Sequence, residues 1–245
     1  MDNNLRDLRM IPERVKNYIN RREILEKHRS YIGEDLLSKF PTYYETLPSW
    51  NDYMEFFDRN QEAEWKLFSI CRYYQMYMLW TKEYIDELAD FIKSIHKDGN
   101  VLEVGAGDGM LSYWLRDRGI PVVATDDNTW KITARAPVRK LGVKKAIKEY
   151  NPEVVVCSWP TMDGKLDKEI FFAEPPKVIL IGEGAGGCTG SGEVWNGLPR
   201  KLGYVEESSF AFDEFALCRT DHGFGNTHLP YLHIITYYYH KEKGL

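Results

Sequence analysis

Cysteine is scarce. The 245 residues hold four, Cys71, Cys157, Cys188 and Cys218, and no two form a C-x-x-C pair. That spacing excludes the usual zinc and dithiol motifs, and so few cysteines in so long a chain do not make a disulfide framework. All four are read as reduced, and no metal site is expected. Positive charge is not in excess either: 32 Lys and Arg stand against 37 Asp and Glu, a net charge of −5. Domains that hold a nucleic-acid backbone are usually basic, so nucleic acid is not the expected partner. No stretch of 18 apolar residues occurs, which leaves no helix to cross a bilayer. The opening residues MDNNLRDLRMIPER lack the apolar core of a secretory signal, so the expected location is the cytoplasm.

What the chain has is aromatic content, 14% with 16 Tyr and 7 Trp, enough to make disorder an unsuitable description of most of it. The pattern changes near Asp98-Gly99-Asn100. Before it, Ile70, Tyr73, Tyr77, Trp80, Tyr84, Leu88, Phe91 and Ile95 recur at three- and four-residue steps, one apolar face of a long helix or of two helices in line. Residues 5–19 and 24–40 suggest further helices, with Pro41 and Pro48 as breaks. After Gly99, β-branched runs at 101–104, 122–125, 154–157 and 178–181 alternate with helical stretches at 110–118, 143–150 and 165–172. Strands alternating with helices predict a parallel sheet covered on both faces. A helix near 194–202 precedes two runs, 204–212 and 231–239, that suit an antiparallel pair at the sheet edge. The basic run Arg135–Lys148 reads as a solvated helix face.

The sharpest local signal is Val101-Leu102-Glu103-Val104-Gly105-Ala106-Gly107-Asp108-Gly109. A strand enters a glycine turn and a helix leaves it. Glycine permits the tight bend and the close approach of a ligand, and the departing helix offers unpaired N–H groups. A dinucleotide site uses G-x-G-x-x-G, but here Met110 holds the third glycine position, which argues against a nicotinamide-dependent oxidoreductase. With an acidic residue at 103, the G-x-G-x-G turn resembles motif I of the class I S-adenosylmethionine-dependent methyltransferases.

That resemblance implies an α/β fold: a doubly wound, seven-stranded mixed sheet over residues 99–245, with residues 1–98 as an N-terminal α-helical cap over the cofactor side. It implies S-adenosyl-L-methionine as cofactor, bound by Glu103, Gly105, Ala106, Gly107, Asp108 and Gly109. Asp126, at the end of the next strand and 17 positions beyond Gly109, takes the ribose hydroxyls, with Asp127 as understudy. Many family members carry an acid after the third strand for the adenine amino group. Residues 136–142 hold none, which leaves adenine to backbone groups around Leu141. The fourth strand ends in Ser158-Trp159-Pro160-Thr161, where amino-methylating branches often carry an N/D-P-P-Y/F-like tetrad. Only Pro160 matches.

Candidate catalytic residues follow from position. Ser158 can bond cofactor or acceptor, and Trp159 can stack on either, or simply pack in the core. Glu183 opens a loop, residues 182–192, with six glycines in eleven positions, placed to close over substrate or to be a plain surface connection. Cys188 in the same loop lacks a His partner in the pattern, and His222 and His228 are candidate bases from the edge segment. Thirteen aromatics between residues 40 and 80 mostly suit helix packing, with a few left to wall a pocket. The expected activity is methyl transfer to a small-molecule acceptor. A protein acceptor, or a cofactor-binding scaffold without turnover, are the alternatives.

Overall fold

The structure, a computed structural model, describes residues 47–59, 71, 75–162, 164–184, 187–218 and 234–241. The helices expected at 5–19 and 24–40, and His222 and His228, lie outside the described residues. In chain order the elements are α1 (Trp50–Arg59), β1 (Met78–Leu79), α2 (Lys82–Ile95), β2 (Asn100–Val104), α3 (Met110–Asp117), β3 (Val122–Asp126), β4 (Arg139–Lys140), α4 (Val143–Tyr150), β5 (Pro152–Ser158), α5 (Leu166–Phe172), β6 (Lys177–Glu183), α6 (Gly192–Trp195), α7 (Leu198–Lys201), β7 (Tyr204–Ser208), a 3-10 helix (Ala211–Phe215), β8 (Leu217–Cys218) and β9 (Ile234–Lys241).

Seven strands form one sheet in the order β4-β3-β2-β5-β6-β9-β7. The first five run parallel. β9 is antiparallel to β6 and to β7, so the expected antiparallel pair is present, with β7 on the edge and β9 inserted beside β6. The central strands are apolar on both faces because both faces are covered. Val101, Val154, Val156, Ile179 and Ile181 join α2, α3 and Phe212 in one apolar cluster. Their alternates Leu102, Val155, Cys157, Val178 and Leu180 join α4, α5 and Val194 in the other. Helix α2 lies within 1–98 yet packs directly on the sheet, through Tyr84, Ile85, Leu88, Ala89 and Ile92.

The helical periodicity read through residues 75–80 is not realised as helix. Gln75 has φ +60, and Met78 and Leu79 pair with Cys218 and Leu217 in a two-stranded ribbon. The helix begins only after Thr81, whose hydroxyl accepts the Tyr84 N–H at 3.1 Å and donates to the Phe215 carbonyl at 2.8 Å. A side-chain cap outcompetes continued apolar spacing there. The run at 194–202 likewise splits into two short helices at Gly197, φ +90. Among the described residues no helix is long and apolar enough to cross a membrane.

Helix α2 is tied to β9 by one buried hydrogen bond, Tyr84 Oη to Thr236 Oγ1 at 2.7 Å. Tyr84→Phe and Thr236→Val are each expected to cost about 1–2 kcal/mol in urea unfolding, since each leaves a buried hydroxyl or contact unmatched. The double variant should cost less than the sum of the two. Strict additivity would show that the two hydroxyls do not act on each other.

Candidate functional site

The carboxyl ends of β2, β3, β4 and β5 open into one cavity of about 410 Å³. Crevices outside the carboxyl ends of parallel strands, where strand order reverses, are where open α/β sheets hold ligands. Glu103, Gly105, Ala106, Gly107, Asp108, Asp126, Asp127, Leu141, Ser158 and Trp159 all line it. Of the residues singled out in the sequence, Gly109 and Glu183 are not in the lining, and His222 is outside the described residues.

The turn after β2 is made of left-handed glycines. Gly105, Gly107 and Gly109 have φ of +65, +54 and +81. A Cβ on Gly105 would stand 2.6 Å from Leu166 Cδ2, and one on Gly109 2.6 Å from Val138 Cγ2. At Gly107 the nearest atom would be Ile132 Cδ1 at 3.3 Å, a side chain that lines the cavity, so a Cβ there would crowd the cavity itself. Gly109 has no neighbour in the cavity because its part is structural: it lets α3 begin under Val138 and Ala136. Met110, the residue at the dinucleotide glycine position, is buried at the start of α3 and its N–H is bonded to Asp108 Oδ1 at 3.0 Å. Asp108 is also ion-paired with Arg135.

Asp126 closes the turn from the neighbouring strand. Its Oδ2 accepts the Gly107 N–H at 3.0 Å, and its Oδ1 accepts the Asn128 N–H at 2.6 Å. A carboxylate has about four lone-pair sites, so acceptor capacity remains. Asp127 turns into its own loop and accepts the Thr129 N–H at 2.8 Å. The Leu141 N–H is spent on the Asp126 carbonyl at 2.9 Å. The next residues, Gly142 and Val143, also line the cavity, and α4 starts there without a side-chain cap.

Ser158 and Trp159 sit at the end of β5. Trp159 has φ +57, rare for a bulky residue. Its N–H donates to the Ile181 carbonyl at 2.7 Å, and its ring lies 6.0 Å from that of Tyr77. Sequence reading did not place Gln75, Met76, Tyr77, Met78 and Trp80, or Thr129, Trp130 and Ile132, in the lining. The aromatic count between residues 40 and 80 held the only signal for the first five. Leu166, Lys165 and Glu169 complete the floor.

The glycine-rich loop is pinned where it is described. Gly190 N–H bonds the Pro160 carbonyl at 2.8 Å, Thr189 bridges to Thr161, and the Trp195 indole N–H donates to the Thr189 carbonyl at 2.8 Å. The Glu183 carboxylate accepts the Cys188 N–H within that loop. Cys188 is exposed, while Cys71, Cys157 and Cys218 are buried, and all four are free thiols. No cluster of metal-ligating side chains occurs among the described residues.

Glu103 is the buried acid of the site. It accepts both the N–H of Ser112, at 3.1 Å, and its hydroxyl. Burial pushes its carboxyl up from 4.5 to about 8, against the downward pull of the Ser112 bonds. The folded protein therefore holds a proton here that the unfolded chain releases above 4.5. Stability from this group is present below 4.5 and is lost as pH rises through 8. Glu103→Gln keeps an acceptor for Ser112 without the ionisation. It is expected to remove about 1.4 kcal/mol per pH unit from the fall in unfolding free energy between pH 5.5 and 7.5. Equal slopes in variant and parent would place the buried proton elsewhere.

No protein-family model matches the sequence, and no curated protein matches it. Solved structures align with it at low identity. One is magnesium protoporphyrin IX methyltransferase from Synechocystis with bound S-adenosylmethionine, 10% identical over 89% of this chain and 97% of that one, TM-score 0.44. Another is an O-methyltransferase family protein from Burkholderia thailandensis, 7% identical over 93% and 72%, TM-score 0.44. A third is a glycopeptide N-methyltransferase in complex with S-adenosyl-L-methionine, 14% identical over 64% and 94%, TM-score 0.43. Likenesses this distant say nothing of substrate, and the fold stands on the strand order itself. Five parallel strands, an antiparallel β9 inserted before β7, and a glycine turn after β2 facing an acid at the end of β3 give this chain the fold of the class I S-adenosylmethionine-dependent methyltransferases.

Proposed function

We propose that the protein is an S-adenosyl-L-methionine-dependent methyltransferase acting on a small-molecule acceptor. The observation that carries the reading is the single cavity in which the open side of the glycine turn, the Asp126 carboxylate and the Ser158-Trp159 strand end meet. The fit of the cofactor is supported by the left-handed Gly107, where a Cβ would stand 3.3 Å from the cavity-lining Ile132 and crowd the space, and by the acceptor capacity left on Asp126. The glycine turn and Asp126 would hold it, with Asp127, Leu141 and Ser158 around it, and the uncapped start of α4 at Gly142 and Val143, which lines the cavity, offering N–H groups to the adenine edge.

When bound, the cofactor supplies an activated methyl group for in-line displacement by a nucleophile on the acceptor. The chain's own part is positional. Asp126 fixes the ribose, and the glycine turn, held by the Asp126–Gly107 bond, sets where the reacting end lies. The Met76–Trp80 wall and Leu111 exclude water from that end. Ser158 and Trp159 orient the acceptor. Alignment of two reactants accounts for a large part of such a barrier, which suits a site without a nucleophile–base pair among its described residues. Residues 1–98 are proposed as an N-terminal cap over the 99–245 core; of their described part, Gln75–Tyr77, Met78 and Trp80 line the cavity, while α2 packs on the sheet.

Titration calorimetry is expected to show binding of S-adenosylhomocysteine and none of NAD or NADP. Tight NAD binding with no response to S-adenosylhomocysteine would overturn the proposal. Asp126→Ala removes a charge-assisted bond worth about 1.5–3 kcal/mol, so S-adenosylhomocysteine should bind roughly ten- to hundredfold more weakly. An unchanged dissociation constant would shift the ribose contact to Asp127.

A further inference from the structure

Part of the cavity's lining is apolar and aromatic: Met76, Tyr77, Met78, Trp80, Leu111 and Trp159. Met78, Trp80 and Leu111 are buried, and Tyr77 and Trp159 are half-buried, keeping part of each ring exposed. The acidic side chains that line the cavity are all engaged: Glu103 with Ser112, Asp108 with Arg135, Asp126 with the N–H groups of Gly107 and Asn128, Asp127 with that of Thr129, and Glu169 with Lys144. A cationic acceptor would have to compete with those partners.

Trp159 is the unusual member. A left-handed backbone is costly for a bulky side chain, and such strain persists where the surroundings over-determine it, typically at ligand sites. Here it is over-determined. The Trp159 N–H is bonded to Ile181, the following Pro160 carbonyl takes the Gly190 N–H, and Thr161 bridges to Thr189. The result is a ring held at a fixed angle in the cavity, 6.0 Å from the Tyr77 ring and inclined 32° to it. Two flat aromatic rings tilted 32° to each other, with polarizable thioethers that adapt to shape among the lining residues, offer faces on which another flat ring can stack.

We infer that the methyl acceptor is a small planar aromatic molecule stacked against the Trp159–Tyr77 ring pair. The inference rests on the methyltransferase reading and specifies its acceptor. The test uses protein saturated with S-adenosylhomocysteine, with 2-naphthol as the planar probe and decahydro-2-naphthol as a non-planar probe of the same skeleton. Saturable 2-naphthol binding by calorimetry is expected, with decahydro-2-naphthol roughly tenfold weaker. Trp159→Leu should weaken 2-naphthol binding roughly tenfold, while Trp159→Phe, which keeps a flat ring, stays within about threefold. Tyr77→Leu, outside the strained turn, carries the same expectation should Trp159→Leu fail to fold. Equal binding of the two probes overturns the planar class, and 2-naphthol binding indifferent to the leucine variants overturns the location. Binding of S-adenosylhomocysteine without any of 2-naphthol overturns the acceptor class alone. Failure to bind S-adenosylhomocysteine at all removes the methyltransferase reading, and the acceptor assignment falls with it.

Discussion

Strand β2 ends in a carboxyl group that solvent does not reach, and the helix launched by the same strand turns back to bond it. Glu103 is buried, and Ser112, in the first turns of α3, gives it both a backbone N–H and a hydroxyl. Leaving such a group without partners in an apolar surrounding is expensive, so these two bonds set the rotation of α3 about its axis. That rotation in turn fixes where the Gly105–Gly109 turn opens. The neighbouring strand adds the second anchor, Asp126 on the Gly107 N–H. Two carboxyl groups with opposite circumstances, one buried and one partly exposed, thus hold a stretch of chain whose glycines would otherwise leave it loose.

The two ends of the cavity differ in how far along the chain their parts lie. The proposed cofactor end draws on cavity-lining residues at 103–108, 126–127 and 141–143, each at or just beyond the end of a parallel strand. The acceptor wall at 76–80 is held from much farther away, by the ribbon to Leu217 and Cys218 and by the Thr81–Phe215 bond. The strand architecture dictates the first end. The second depends on packing between segments that the architecture leaves free to vary, which is where specificity for an acceptor belongs.

This division also explains what could be read from the sequence. The runs at 101–104, 122–125, 154–157 and 178–181 were legible because burial on both faces leaves mostly apolar residues, Glu103 and Thr125 being the buried polar ones. The glycine turn was legible because a left-handed backbone selects glycine at 105, 107 and 109. Residues 76–80 were misread as helix because Tyr77, Trp80 and Tyr84 keep helical spacing while Thr81 caps between them. Two-residue strands such as Met78–Leu79 and Arg139–Lys140 have no period of their own, and their pairing is decided by distant partners. The position of β9 between β6 and β7 was hidden for the same reason: an antiparallel pair announces itself, but not which member sits on the edge. Trp159 was noticed as a strand-end aromatic. Its left-handed backbone was not, because only the fixed carbonyl of Ile181 and the braced loop beyond make that conformation tenable.

The Met78–Leu79 to Leu217–Cys218 ribbon has a consequence for the order of events on the ribosome. Chains emerge from the amino end and domains organise as they appear. All five parallel strands, and every cavity residue from Glu103 to Glu169, precede residue 217 in synthesis. Residues 78–79 therefore lack the strand that pairs with them until after all five parallel strands have been synthesised. That pairing spans more than half of the chain, and closing so long a loop is slow compared with local pairings.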